Sequence, residues 1–175
     1  MADRPDDAVA VLARVTARVN RVFTAIAGGF ALAIVALVVQ DVVRRYAFND
    51  PTLWALDLSS FMLVYLFFLG LAPALQAGTH VNVDLFLERM GPRARAAMGV
   101  IAAGAVVLFG LILFVRVLDT TIEAFEDDAL AATAMPMKLK YIYMVAPVGT
   151  LQFVATGLVL LAAAWRQCCD AQARA

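Results

Sequence analysis

The run VFTAIAGGFALAIVALVV at residues 22–39 holds no charged side chain and is bounded by Arg21 before it and by Gln40 and Asp41 after it. A helix crosses a hydrocarbon core of about 30 Å in roughly 20 residues, so this stretch has the length and character of a membrane span. Three more follow the same pattern. Residues 53–75 are apolar apart from Asp57, Ser59 and Ser60; residues 96–115 are uncharged and end at Arg116; residues 141–165 are uncharged and include Pro147, a candidate kink. The sequence thus predicts an all-α integral membrane protein, a single membrane domain over residues 1–175 with four transmembrane helices at 22–40, 53–75, 96–116 and 141–165.

Composition agrees. With 63% hydrophobic and 16% charged residues, the chain carries more apolar surface than one soluble core could hide, and the remainder needs a lipid bilayer. Net charge is zero, which leaves no electrostatic case for nucleic acid as a partner. Arg14, Arg18 and Arg21 precede the first run as they would in a signal peptide, but its 18 residues exceed a signal core and its small triplet Ala31-Leu32-Ala33 lies inside it. The expected element is an uncleaved span.

Basic residues set the expected orientation. With the N-terminus in the cytoplasm, that side holds nine arginines, among them Arg14, Arg18, Arg21, Arg89, Arg93 and Arg95, against five basic residues outside: Arg44, Arg45, Arg116, Lys138 and Lys140. Both termini are therefore expected inside, with an acidic external loop over 116–140 holding Asp119, Glu123, Glu126, Asp127 and Asp128. Before the first span, Arg14, Arg18 and Arg21 share one helical side and Val11, Val15, Val19 and Val22 another. This is an amphipathic N-terminal segment suited to anionic headgroups. A second interfacial segment is expected at 81–90, between spans two and three, where Asp84 and Glu88 lie one turn apart and Gly91-Pro92 stops the helix.

Catalytic and metal chemistry find little support. Cys168 and Cys169 are adjacent, follow the last span and face a reducing compartment on this topology, so neither a disulfide nor a zinc site is expected. His80 is the single histidine, whereas haem held in a bundle takes paired axial ligands. No nucleophile triad, nucleotide loop or paired intramembrane carboxylates are present, so neither an enzyme nor a bound cofactor is expected.

Polar residues crowd instead around the second span. Asp50-Pro51 reads as a helix start, with an N-cap acid before a proline at the first position. Trp54 suits the interface and shares a face with Asp57, which lies about 9 Å into the helix from Pro51. An acid there is a candidate site, and Arg44 or Arg45 is its expected partner. His80 and Asp84 fall at the other end of that helix. Ala25, Gly29 and Ala33 recur every fourth residue, a small-residue stripe that would admit a neighbouring helix.

Arg45-Tyr46, Asn49, Pro51, Trp54-x-x-Asp57, Gly70 and Gly78-Thr79-His80-Val81-Asn82-Val83-Asp84, with Met135-Pro136 and Pro147-Val148-Gly149 near the last span, resemble the small membrane subunit of tripartite ATP-independent periplasmic (TRAP) transporters, the DctQ type. The resemblance covers the whole chain. Position 57 is more often Glu in that family and position 76 more often basic, where this sequence has Asp57 and Gln76. The resemblance implies an inner-membrane scaffold beside a large TRAP membrane subunit, which would hold the substrate and the coupling sodium, with a periplasmic substrate-binding protein delivering a small organic acid. The residues leave two other readings open: a self-sufficient homo-oligomeric transporter using Asp57, and a membrane anchor or assembly protein.

Overall fold

The computed structural model of the protein describes residues 5–50, 52–78, 92–128, 130, 131, 133 and 137–173. Their secondary structure is helical apart from one antiparallel bridge, Leu130 to Lys138. Helix α1 spans Pro5–Ala47, α2 Leu53–Gln76, α3 Pro92–Glu126, α4 Leu139–Tyr143 and α5 Val145–Ala173. Among the described residues, four segments are long and apolar enough to cross a membrane: Val9–Ala47, Trp54–Gln76, Arg95–Glu126 and Leu139–Cys169. The interfacial segment expected at 81–90, with His80 and Asp84, lies outside the described residues, as do Pro51 and Met135-Pro136.

Two helices exceed their apolar runs. No proline or glycine breaks the chain between the amphipathic segment and the first run, so α1 continues through both for 43 residues, about 64 Å and twice a hydrocarbon core. Its inward seam is neither of the two stripes expected before the span. Ala13, Thr16, Asn20, Phe23, Ala27 and Phe30, spaced alternately by three and four, turn toward the bundle, while Val11, Val15 and Val22 stay exposed. The helix has three faces here, and the small and polar one is buried because it alone admits polar contacts from α2 and α5. Likewise α3 does not stop at Arg116. It continues to Glu126, so Asp119, Glu123 and Glu126 ride on helix and the acidic loop expected over 116–140 shortens to the segment after it.

α3 packs along α5, α1 along α2, and α2 against α5, with a smaller contact between α1 and α5. Of the most apolar stretch of each span, 44% of residues are buried in the α4–α5 segment but only 6% in α1 and in α3. The last span is therefore the centre, and α1 and α3 are flanks whose outer faces require lipid or protein. α2 and α5 approach closely at Gly149, where a Cβ would fall on the Phe68 backbone carbonyl. The stripe at Ala25, Gly29 and Ala33 does not mediate packing within the chain: a Cβ at Gly29 would meet nothing within 4 Å, and Ala25 is exposed. Pro147 does not kink a continuous helix either. The backbone breaks at Met144, and Pro147 sits in the first turn of α5, where its missing N–H leaves no bond unmade.

Candidate functional site: polar clusters at two ends of an apolar bundle

Toward the N-terminal side of the apolar run of α1, Asn20 is only 2% exposed and joins three helices. Its Nδ2 donates to Gln76 Oε1 at 2.6 Å on α2 and to Thr156 Oγ1 at 3.2 Å on α5. Its Oδ1 accepts from Gln152 Nε2 at 2.8 Å, and the same nitrogen donates to the Thr16 carbonyl at 3.2 Å. The Thr156 hydroxyl donates on to the Gln152 carbonyl at 2.9 Å. Among the described residues, no buried side-chain nitrogen or oxygen lacks a partner. The cluster is wholly uncharged, so it joins helices without the desolvation cost that an ion would carry in lipid. Sequence reasoning singled out only Gln76 of this group, and as a departure from a family pattern. The available signal was amide and hydroxyl side chains interrupting apolar helices.

The opposite end of the α1–α2 hairpin is charged. Asn49 takes a left-handed conformation, φ 52°, and turns the chain so that the Asp50 amide donates to the Arg44 carbonyl at 3.2 Å. Asp41 Oδ2 accepts from Arg45 at 2.8 Å, and Asp41 Oδ1 accepts from both the amide of Thr52, at 2.9 Å, and its hydroxyl. Arg44 pairs with Asp50. Asp50 is therefore not the cap of α2: Thr52 occupies that position, because the Asp50 carboxylate is engaged by Arg44 and its amide by the turn. Each arginine expected to neutralise Asp57 thus holds a different carboxylate. Asp57 is half-buried and has an interaction of its own, and Trp54 is 39% exposed on the first turns of α2. Further along α2, Tyr65 stacks obliquely on Phe30 and donates its hydroxyl to the Tyr141 carbonyl at 2.5 Å, tying α4 to the hairpin.

Between α3 and α4, Asp128 takes a left-handed turn, φ 44°, and accepts from Lys138 at 2.6 Å and Lys140 at 2.7 Å. Hydrogen bonds from the two ammonium groups lower its carboxyl to about 2. Together with the Ala131 to Met137 backbone bond at 2.8 Å, this clip closes the connection. Among the described residues no three His, Cys, Asp or Glu side chains converge as metal ligands. Cys168 and Cys169 are free thiols on the last turns of α5.

A family model for the DctQ component of tripartite ATP-independent periplasmic transporters matches residues 34–170. The chain belongs to the DctQ family. Among curated relatives it is 26% identical over 85 residues to a sialic acid TRAP transporter small permease protein, SiaQ, of Vibrio cholerae, covering 45% of this chain and 49% of that one. It is 28% identical over 83 residues to the C4-dicarboxylate TRAP transporter small permease protein DctQ of the same organism, covering 47% of this chain and 36% of the relative. The matched stretch thus spans about half, or less, of each relative's length. DctQ membership and four membrane-crossing helices make this a multi-pass membrane protein, and the family is one of permease subunits rather than enzymes. In this DctQ chain the two polar clusters serve as helix-joining contacts.

Proposed function

We propose that this DctQ chain is the scaffold of a TRAP permease: a small inner-membrane subunit that supports a large membrane subunit carrying the substrate and sodium sites. A periplasmic binding protein delivers the cargo. The observation that carries this reading is the family match over residues 34–170, supported by an interior in which, among the described residues, every buried side-chain nitrogen and oxygen already has a hydrogen-bond partner within the protein. The two relatives are named for sialic acid and for C4-dicarboxylates, both carboxylic acids, which favours a small organic acid as cargo. The distribution of arginines favours both termini in the cytoplasm, and a periplasm-active reporter fused after residue 175 should stay silent.

Reconstitution tests the central claim. Liposomes with this chain alone should show no organic-acid flux; flux should require the large subunit, the binding protein and a sodium gradient together. Uptake by the isolated chain would overturn the scaffold assignment. Asp57 separates the competing transporter reading. As a structural contact, Asp57→Ala should lower co-purification and uptake in parallel, while Asp57→Glu is tolerated. As a coupling site, Asp57→Asn would abolish flux with the complex intact.

A further inference from the structure

The inter-helix contacts act as a ruler along the bundle. Take the bonds joining Asn20, Gln76 and Thr156 as one level. At 1.5 Å per residue the uncharged runs of α1, residues 22–39, and of α2, residues 58–75, are then centred roughly 14 to 16 Å outward of it. The Phe30–Tyr65 stacking and the Asp41–Thr52 bond lie where this spacing requires. The run at 141–165 is centred about 4 to 5 Å outward of the same level. α3 lies lower still. Gly110 faces Phe153 and Val154, Gly157 faces Val106 and Val107, and Gly99 faces Ala164, which puts the centre of residues 96–115 about 3 Å on the inner side. The apolar belts therefore descend by about 17 to 19 Å across two helix spacings of about 8 to 10 Å each.

Upright helices in a flat bilayer cannot satisfy such belts. A core of about 30 Å centred on α1 and α2 leaves Ile101, 65% exposed, about 10 Å beyond its inner boundary, while Arg116 sits roughly 13 Å inside the hydrocarbon. Centred on α3 and α5, the same core expels Leu63, which is 57% exposed. We infer that the four helices cross the bilayer as an oblique slab, inclined by roughly 40° to the membrane normal, with lipid meeting α1–α2 and α3 at different heights along the bundle. At that inclination the 23-residue apolar run of α2, about 34 Å long, spans about 26 Å of bilayer. The same rotation carries Arg116 to the outer boundary beside Trp54, and Arg95 and Arg166 to the inner boundary with Arg21.

Two measurements on the full chain in liposomes test the slab. Infrared dichroism on oriented bilayers reads the mean helix tilt without any substitution: about 40° is expected, at the upper end of the common range, and a mean near the ordinary 20° overturns the proposal. Single-cysteine variants Leu63→Cys, Ile101→Cys and Leu118→Cys, made in a Cys168→Ser, Cys169→Ser background, carry a nitroxide whose depth is read by oxygen against an aqueous relaxant. The slab places the labels at 63 and 101 both near the bilayer centre and the label at 118 at the outer interface. Aqueous exposure of either of the first two, or central depth for the third, identifies an upright bundle. A bilayer bent around upright helices would bury both labels at low tilt, and that result also overturns the slab.

Discussion

The two ends of the α1–α2 hairpin do the same work with different chemistry. At one end Asn20, Gln76, Gln152 and Thr156 hold three helices with uncharged amides and a hydroxyl; at the other, Asp41, Arg45, Arg44 and Asp50 hold the hairpin turn with ions. Exposure explains the division. Asn20 and Thr156 are each 2% exposed, whereas the paired Arg44 and Asp50 side chains are 40% and 63% exposed. Water that reaches an ion pair removes its desolvation cost and most of its net value with it, while a buried amide network keeps both its cost and its strength. The neutral end should therefore govern stability and the charged end should chiefly shape the turn.

Both clusters depend on helices that already touch, so the largest effect should come from forcing α2 and α5 apart. Gly149→Leu drives a side chain into the Phe68 backbone and should cost about 3 kcal/mol, read as loss of the folded monomer in thermal unfolding monitored by size exclusion. Gly29→Leu, on an open face, should leave the isolated chain unchanged. Next comes Asn20→Leu, which strands Gln152 and Gln76 at once; at about 0.6 kcal/mol for an average interhelical hydrogen bond in a membrane, the loss of several should come to about 1 to 2 kcal/mol. A loss no larger than that of an exposed-site control would break the comparison. Asp41→Ala should cost less than Asn20→Leu, and its effect should shrink further in high salt as the Arg45 pair is screened.

The smallest effect sharpens the rule at a third place. Asp128 titrates at about 2 in the folded protein, below its ordinary value of 3.8. A depressed carboxyl contributes stability that is fully present above the unfolded value and is lost as pH falls from there through about 2. Hydrogen exchange of the α3–α4 connection should therefore be insensitive to this group between about pH 5 and 8 once the intrinsic rate is removed, and should quicken only below about pH 4. Asp128→Asn should abolish that dependence.

Much of the fold was legible because hydropathy acts locally. Each apolar run of about 20 residues must close its own backbone hydrogen bonds in lipid, so helix type and number follow from one stretch at a time. The helix ends were less legible. Residues 5–21 and 117–126 continue their helices because nothing in them breaks one, and a charged residue such as Arg116 ends an apolar run without ending a helix. The candidate contacts were read unevenly. Arg44 and Arg45 are legible as partners for an acid, but the acids they hold, Asp50 and Asp41, sit within six residues along the chain: one helical turn sets the Arg45–Asp41 pair, and a left-handed Asn49 brings Asp50 to Arg44.

Sequence by itself determined four crossings, an excess of apolar residues that needs lipid, and the DctQ resemblance, all of which rest on composition, spacing and motifs within single segments. Only the tertiary structure decided which face of α1 turns inward, that Gly149 rather than Gly29 admits a neighbouring helix, and that Asn20 meets Gln76 and Thr156 from positions 56 and 136 residues away. The physical reason is that helix–helix packing in lipid has little hydrophobic direction to read. Contact is chosen by shape and hydrogen bonding between distant segments, and neither is written in the period of any one of them.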